Sequence, residues 1–108
     1  MIKEYQGIQP KIDETVFVAE SADIIGKVTI AKNANIWYNT VIRADVNTVT
    51  IGENTNIQDG CVIHIASNFS TTIGKNVTVG HKALIHGCKI GDNTLIGTGA
   101  IVLDGAEV

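Results

Sequence analysis

An aliphatic residue recurs every six positions along almost the whole chain of 108 residues. Three changes of register interrupt the repeat: three extra residues before Ile51, four before Ile73 and one fewer before Ile90. A period of six matches neither the period of about 3.6 residues of an amphipathic helix nor the alternation of an isolated strand, and short fixed repeats are typical of solenoids. The fifteen aliphatic positions are Ile12, Val18, Ile24, Ile30, Ile36, Ile42, Ile51, Ile57, Ile63, Ile73, Val79, Ile85, Ile90, Ile96 and Val102.

The remaining positions of the hexad follow rules of their own. The fifth residue is small or β-branched, Val46 and Ser67 included, and only Lys89 departs from this rule. The fourth residue favours asparagine and glycine, which accept a positive φ at a turn more readily than other residues do. These fourth residues are Asn33, Asn39, Asn54, Gly60, Asn76, Asn93, Gly99 and Gly105.

The pattern predicts an all-β fold, a single-stranded parallel β-helix. Each hexad would supply one short strand and one corner, three hexads would make a triangular coil, and the chain would form about five coils stacked at a strand spacing of about 4.8 Å. The first and fifth residues of each hexad are expected to point inward, Cys61 among them, whereas Cys88 is expected at a corner. We assign residues 1–11 to an N-terminal lead-in and residues 12–108 to the β-helix domain.

Bulk properties exclude several classes of function. A formal net charge of −3 and a sequence pI of about 5.4 argue against a nucleic-acid partner. No signal-like segment and no apolar run of membrane-spanning length is present, so we expect no membrane association and a cytoplasmic location. Two cysteines are too few for a disulfide scaffold. The closing stretch "LDGAEV" stops in mid-pattern, so we expect a C-terminally truncated chain.

Polar residues fall into register when the hexads are wound into coils, because every third hexad lies on the same face. One column then carries Arg43, His64 and His86 on its outer side in successive coils. His64 and His86 are therefore predicted to be vertical neighbours whose rings could share one metal ion. The adjacent column carries Gln58, Asp59 and His81.

His81 is set apart from the other two histidines of the chain. Five near-extended residues separate it from His86, on the order of 16 Å, so the two rings are not expected to reach one ion within one chain. A second copy could bring its own His81 to the site, and a three-sided prism favours cyclic threefold association. The stacking of the hexads alone supports two interpretations equally well: a metal site, or histidines that are merely structural or solvated.

Three stretches carry a resemblance to a known family: "NIWYNTVIRADV", "NTNIQDGCVIH" and "VTVGHKALIHGCKIGDNTLIG". They resemble the γ-class carbonic anhydrases, the left-handed β-helix enzymes of the hexapeptide-repeat superfamily, and the similarity runs from about residue 8 to the end of the chain. A left-handed coil is implied by this resemblance alone, because parallel crossovers are normally right-handed. The chain resembles the branch of the family with shorter loops, and the acidic loop residues linked to proton transfer in the archetypal member are missing here.

The resemblance implies a homotrimer with a metal site at each interface and a small-molecule substrate. His64, His81 and His86 match the metal ligands. Gln58 matches the residue that hydrogen-bonds the metal-bound water, Asn56 matches another site-lining position, and these two are expected to be catalytic together with Arg43. The interfacial ion-pair residues of the family are matched by Arg43, Asp45 and Asp59.

The function implied is the hydration of carbon dioxide to bicarbonate by a metal-dependent enzyme. Three histidines with an open position are typical of catalytic zinc, and neutral imidazoles also suit ferrous iron or cobalt. Two alternatives remain open. The first is an acyltransferase or thioesterase of the hexapeptide-repeat superfamily. The second is a non-catalytic trimeric scaffold whose metal only joins the subunits.

Overall fold

The computed structural model describes all 108 residues and consists of fourteen short β-strands joined by tight turns. It contains no helix that could cross a membrane. The strands are β1 Ile2–Lys3, β2 Lys11–Ile12, β3 Phe17–Val18, β4 Asp23–Ile30, β5 Asn35–Ile36, β6 Val41–Ile51, β7 Asn56–Ile57, β8 Val62–His64, β9 Thr71–Ile73, β10 Thr78–Val79, β11 Leu84–His86, β12 Lys89–Ile90, β13 Leu95–Ile96 and β14 Ile101–Val102.

The strands stack in parallel on three faces and form a solenoid of about five coils. The first face follows the order β1, β4, β6, β8, β11 and β14. The second face pairs β2 with the later part of β4, then the later part of β6, then β9 and β12. The third face holds β3, β5, β7, β10 and β13. The long strands β4 and β6 bend round the corner between the first and second faces, and the predicted parallel β-helix is confirmed.

Aliphatic residues fill the interior as stacked columns. Ile24, Ile42, Ile63 and Ile85 lie in register on four successive strands of the first face, and each side chain is fully buried. At the corners, all eight asparagines and glycines of the predicted turn position adopt positive φ. The hexad is therefore the structural unit that the sequence pattern indicates, with an inward aliphatic residue and a left-handed turn residue three positions later.

The inward positions after the two insertions differ from the prediction. Val46 is 62% exposed and Ser67 is also exposed, so the prediction that both point inward is wrong. Val49 and Thr71 are the buried residues instead, each two positions before the next aliphatic residue. Residues two apart on one strand share a face. The extra residues therefore lie in the corner before the strand and leave the strand itself intact.

The same rule explains the shortened hexad. Cys88 is 3% exposed and lies two positions before Ile90, in the small inward position, so the prediction of a corner location is wrong. Lys89 between them points outward and is not an exception to the inward pattern. Cys61 is fully buried as predicted. Burial raises the pKa of both thiols, so neither cysteine is a reactive thiolate.

Gly26 is a position where the bend of β4 leaves no room for a side chain. Its φ is +81°, and a Cβ there would lie 2.2 Å from the carbonyl oxygen of Ala44 in the next coil. We expect Gly26→Ala to lower the free energy of unfolding by about 3 kcal/mol, since left-handed backbone costs about 1–2 kcal/mol and overpacking about 1–3 kcal/mol. Urea unfolding of the purified variant measures this loss.

Gly97→Ala is the matched control for this prediction. A Cβ at Gly97 would meet no atom within 4 Å, and its backbone is not left-handed. This variant should unfold within about 0.5 kcal/mol of the parent chain. Equal losses in the two variants would show that the contact with Ala44 does not matter.

Candidate functional site

A pair of histidines stands on the outer side of the first face. Ile63 and Ile85 point into the core, so the residues that follow them point outward. His64 and His86 lie directly opposite each other in the parallel register of β8 and β11. Nδ1 of His64 is 3.2 Å from Nε2 of His86, and the ring planes are inclined by 69°. The predicted vertical neighbours are therefore in contact.

Carboxylates bracket this pair at both ends. Oδ1 of Asp45 lies 3.1 Å from Nε2 of His64, and Oδ1 of Asp104 lies 2.5 Å from Nδ1 of His86. Both outer ring nitrogens thus face acceptors. An ionised carboxylate can only accept hydrogen bonds, so each of these contacts is a hydrogen bond when the outer ring nitrogen carries the proton.

The environment of Asp45 keeps its carboxyl group ionised. Burial acts to raise its pKa, but hydrogen bonds from the backbone N–H of Val46, from His64 and from Arg43 outweigh burial and lower the pKa to about 2. Arg43 pairs with Asp45 two residues along the same strand, on the same outward side. The negative charge on Asp45 therefore persists at neutral pH and fixes the direction of the hydrogen bond from His64.

The two inner nitrogens of the pair then face each other. When both rings are neutral and both outer nitrogens are protonated, Nδ1 of His64 and Nε2 of His86 each present a lone pair. Lone pairs at 3.2 Å repel unless a cation lies between them. Two nitrogen ligands of a tetrahedral metal with bonds of about 2.0–2.1 Å stand roughly 3.3 Å apart. The pair therefore fits two of the ligands of a metal ion.

His81 lies elsewhere, at the corner between the third and first faces. Its side chain is 54% exposed, and its Nδ1 is 3.3 Å from Oδ1 of Asp59 one coil below. Within one chain no three histidine, cysteine, aspartate or glutamate side chains are placed to hold one ion. Gln58 precedes Asp59 at the same corner.

The candidate site is thus divided into two groups of residues on each chain. We call Arg43, Asp45, His64, His86 and Asp104 the pair half, and Gln58, Asp59 and His81 the corner half.

The remaining predicted site residues are held by local hydrogen bonds. Asn56 donates from Nδ2 to Oδ1 of Asn35 at 2.5 Å, on the outer side of the third face. Gln58 is fixed through its backbone: its N–H donates to Val79 O at 3.0 Å, and its carbonyl accepts from Thr40 Oγ1 at 2.9 Å. Its side-chain amide is therefore available to a ligand.

Asp104 is the contact residue that sequence reasoning missed. It lies two residues after Val102, which pairs with Ile85 one coil below. The column counting that paired the two histidines places Leu103, not Asp104, above His86, and it places Asp104 above Gly87. Counting therefore gave no signal for Asp104, whose side chain reaches His86 from a turn.

The site lies on an open surface. Three concave regions occur in the chain, and none of them is lined by a histidine. A small substrate would therefore be enclosed only if another surface covered the first face. The exposed outward residues Val62 and Ile101 lie on that same face beside the histidine columns.

Comparisons with known proteins agree with this fold. Residues 70–106 match the family of bacterial transferase hexapeptide repeats. A solved hexapeptide transferase family protein from Anaplasma phagocytophilum is 37% identical with a TM-score of 0.78, and the match covers 99% of this chain and 77% of that one. The chain belongs to the hexapeptide-repeat family. A Bacillus cereus protein of solved structure, provisionally described as an acetyltransferase, is 42% identical with a TM-score of 0.98, and the match covers 99% of this chain and 62% of that one.

The curated relatives of this family member point to the predicted class. Gamma carbonic anhydrase 1 of Arabidopsis thaliana mitochondria is 51% identical over 105 residues, which are 92% of this chain and 38% of the relative. The predicted resemblance to γ-class carbonic anhydrases is confirmed. The chain spans between 38% and 60% of the length of the curated relatives that it matches.

Proposed function

We propose that this chain is the β-helical part of a metal-dependent carbonic anhydrase of the γ type, which hydrates carbon dioxide to bicarbonate. One observation carries the proposal: the inner nitrogens of His64 and His86 stand 3.2 Å apart while carboxylates hold both outer nitrogens. Names of relatives such as the Arabidopsis protein support the reaction. Zinc is the metal we assign, and the donor set also suits ferrous iron or cobalt.

The third ligand in this proposal is His81 of a neighbouring copy. Within one chain, the corner half is separated from the pair half by the width of the first face. In a homotrimer, the exposed corner half of one chain can face the pair half of the next, and rotational symmetry then generates three equivalent sites. A cation bound by these histidines would supply Lewis-acid chemistry that activates water near neutral pH.

The other residues of the proposed site bind and orient. Gln58 reaches the site beside His81, where its amide can donate to or accept from the substrate and its attacking water. Arg43 holds Asp45, which in turn holds the Nε2 proton of His64. Asn56 lines the site from the third face. The exposed residue Val46 lies near the position of an acidic loop residue of the archetypal member, and no glutamate is present there, so protons would leave through water and buffer.

Acyl transfer is the second candidate, because the Bacillus cereus structure with a TM-score of 0.98 is provisionally described as an acetyltransferase. An acyltransferase of this superfamily typically uses one histidine as a general base. It would not require the inner nitrogens of two histidines to face each other. The geometry of the pair half therefore favours metal-dependent chemistry.

Stopped-flow hydration of carbon dioxide tests the proposal directly. We expect about one zinc per chain after reconstitution, hydration that requires the metal, and loss of activity after chelation. Parallel assays with acetyl-CoA, with and without chelator, test the second candidate. A chain that retains no zinc, iron or cobalt would contradict the proposal, and metal-independent turnover of acetyl-CoA would favour acyl transfer.

A further inference from the structure

Asp104 is held above the end of β11 by the turn that follows β14. The N–H of Gly105 donates to the carbonyl of Gly87 at 2.8 Å, which ties this turn to the coil below. Gly87 has a φ of +58°, and a Cβ there would lie 2.5 Å from Oδ1 of Asp104. The glycine therefore leaves the space through which the carboxylate reaches Nδ1 of His86.

We propose that Asp104 is a positioning residue, which holds the proton of His86 on Nδ1 and thereby presents the Nε2 lone pair to the metal. The inference rests on the proposed function, in which His86 is a ligand. It assigns to Asp104 a role that the sequence pattern did not. The residue acts through His86 and does not itself touch the metal or the substrate.

The alternative protonation state of His86 would close the site. A proton on Nε2 would point at Nδ1 of His64, 3.2 Å away, and the two rings would hydrogen-bond to each other. In that state Nε2 of His86 has no lone pair and the lone pair of His64 Nδ1 accepts the hydrogen bond, so neither nitrogen is available to a cation. The hydrogen bonds of a histidine ring determine which of its two nitrogens carries the proton. A carboxylate at Nδ1 therefore favours the open, cation-accepting state of the pair.

Each of the three histidines has an aspartate beside one ring nitrogen, which supports a common role for the three. Asp45 faces His64, Asp59 lies 3.3 Å from His81, and Asp104 faces His86. Each ring thus has one nitrogen against a carboxylate and the other directed away from it. Ligating histidines usually donate their second N–H in this way, and loss of such a partner typically lowers metal affinity by about 10–100-fold.

Asp92 offers a matched control in the same part of the molecule. Its Oδ1 accepts a hydrogen bond from the backbone N–H of Lys75 at 2.8 Å, so it joins neighbouring coils as Asp104 does. It contacts no histidine. A purely structural role for Asp104 would make Asp104→Ala and Asp92→Ala behave alike.

The experiment has two readouts on the full chain. Two-bond proton–nitrogen correlation spectra of the metal-free protein, labelled with 15N-histidine, report which nitrogen of His86 is protonated. Competition with a chromophoric chelator gives the zinc affinity. We expect the Nδ1–H form in the parent chain, its loss in Asp104→Ala, and an affinity about 10–100-fold lower, with Asp92→Ala within about twofold of the parent.

Two results would overturn the inference: an Nε2–H form of His86 in the parent chain, or equal zinc affinities for the two variants. The tautomer and the affinity are measured without turnover. Predicted shifts in both, in a protein that does not hydrate carbon dioxide, would leave the inference standing and refute only the proposed reaction.

Discussion

Replacing His64 with alanine is expected to abolish metal retention and the hydration of carbon dioxide. The substitution removes one of two inner nitrogens that stand 3.2 Å apart, and it leaves His86 with no second donor in the chain. We expect zinc affinity to fall by more than about 100-fold, since loss of a mere supporting residue typically lowers it by about 10–100-fold. Metal analysis after dialysis and stopped-flow assays measure both effects.

The fold should survive this substitution, which makes the result interpretable. The side chain of His64 is 21% exposed and lies outside the core, while Ile63 beside it is fully buried. Thr72→Ala on the second face serves as the control, because Thr72 is a half-exposed outward residue remote from the histidine columns. A His64→Ala chain that keeps its zinc would refute the assignment of this residue as a ligand.

The pairing of His64 with His86 could be predicted because a β-helix has few ways to arrange its chain. Once the aliphatic residues point inward, the residue after each one points outward. Parallel stacking at one coil per three hexads then places Ile63 under Ile85, and the residues that follow them into contact. The pairing therefore depends neither on the path of a loop nor on contacts between strands of unknown order.

The inward residues near the insertions were mispredicted for a physical reason. Counting forward from the preceding aliphatic residue assigned Val46 to the interior, yet it is exposed, and Val49 is buried. A strand keeps its two inward residues two positions apart, whereas a corner can absorb extra residues. Counting backward from Ile51 gives the correct residue. The corner that contains Val46 is thus the part of the repeat that accommodates inserted residues.

Contacts made by long or turn-located side chains were beyond the reach of counting. Within the chain Arg43 meets Asp45, two residues away on the same strand, and counting alone does not give this pairing. Asp104 sits at a turn, and only the close approach allowed by Gly87 brings it to His86. A lattice gives the position of each Cα, while rotamers and close approaches decide which atoms touch.

Mixed assemblies of two inactive variants are expected to regain about a quarter of the wild-type metal sites. A His64→Ala chain keeps an intact corner half, and a His81→Ala chain keeps an intact pair half. Neither variant alone can complete a site between copies. In a randomly mixed trimer with equal amounts of both chains, about one interface in four joins the two intact halves.

The two chains would be unfolded together, refolded with zinc, and analysed for metal content and hydration activity. A mixture of His64→Ala with His86→Ala is the control, because both substitutions damage the pair half and no combination restores it. Recovery in the first mixture alone would require that the corner half of one chain meets the pair half of another. If neither mixture recovers although trimers form, then His81 does not complete the site, and the separation of the two halves within one chain has another cause. If both recover equally, the site does not need both His64 and His86, and the contact between their rings is incidental.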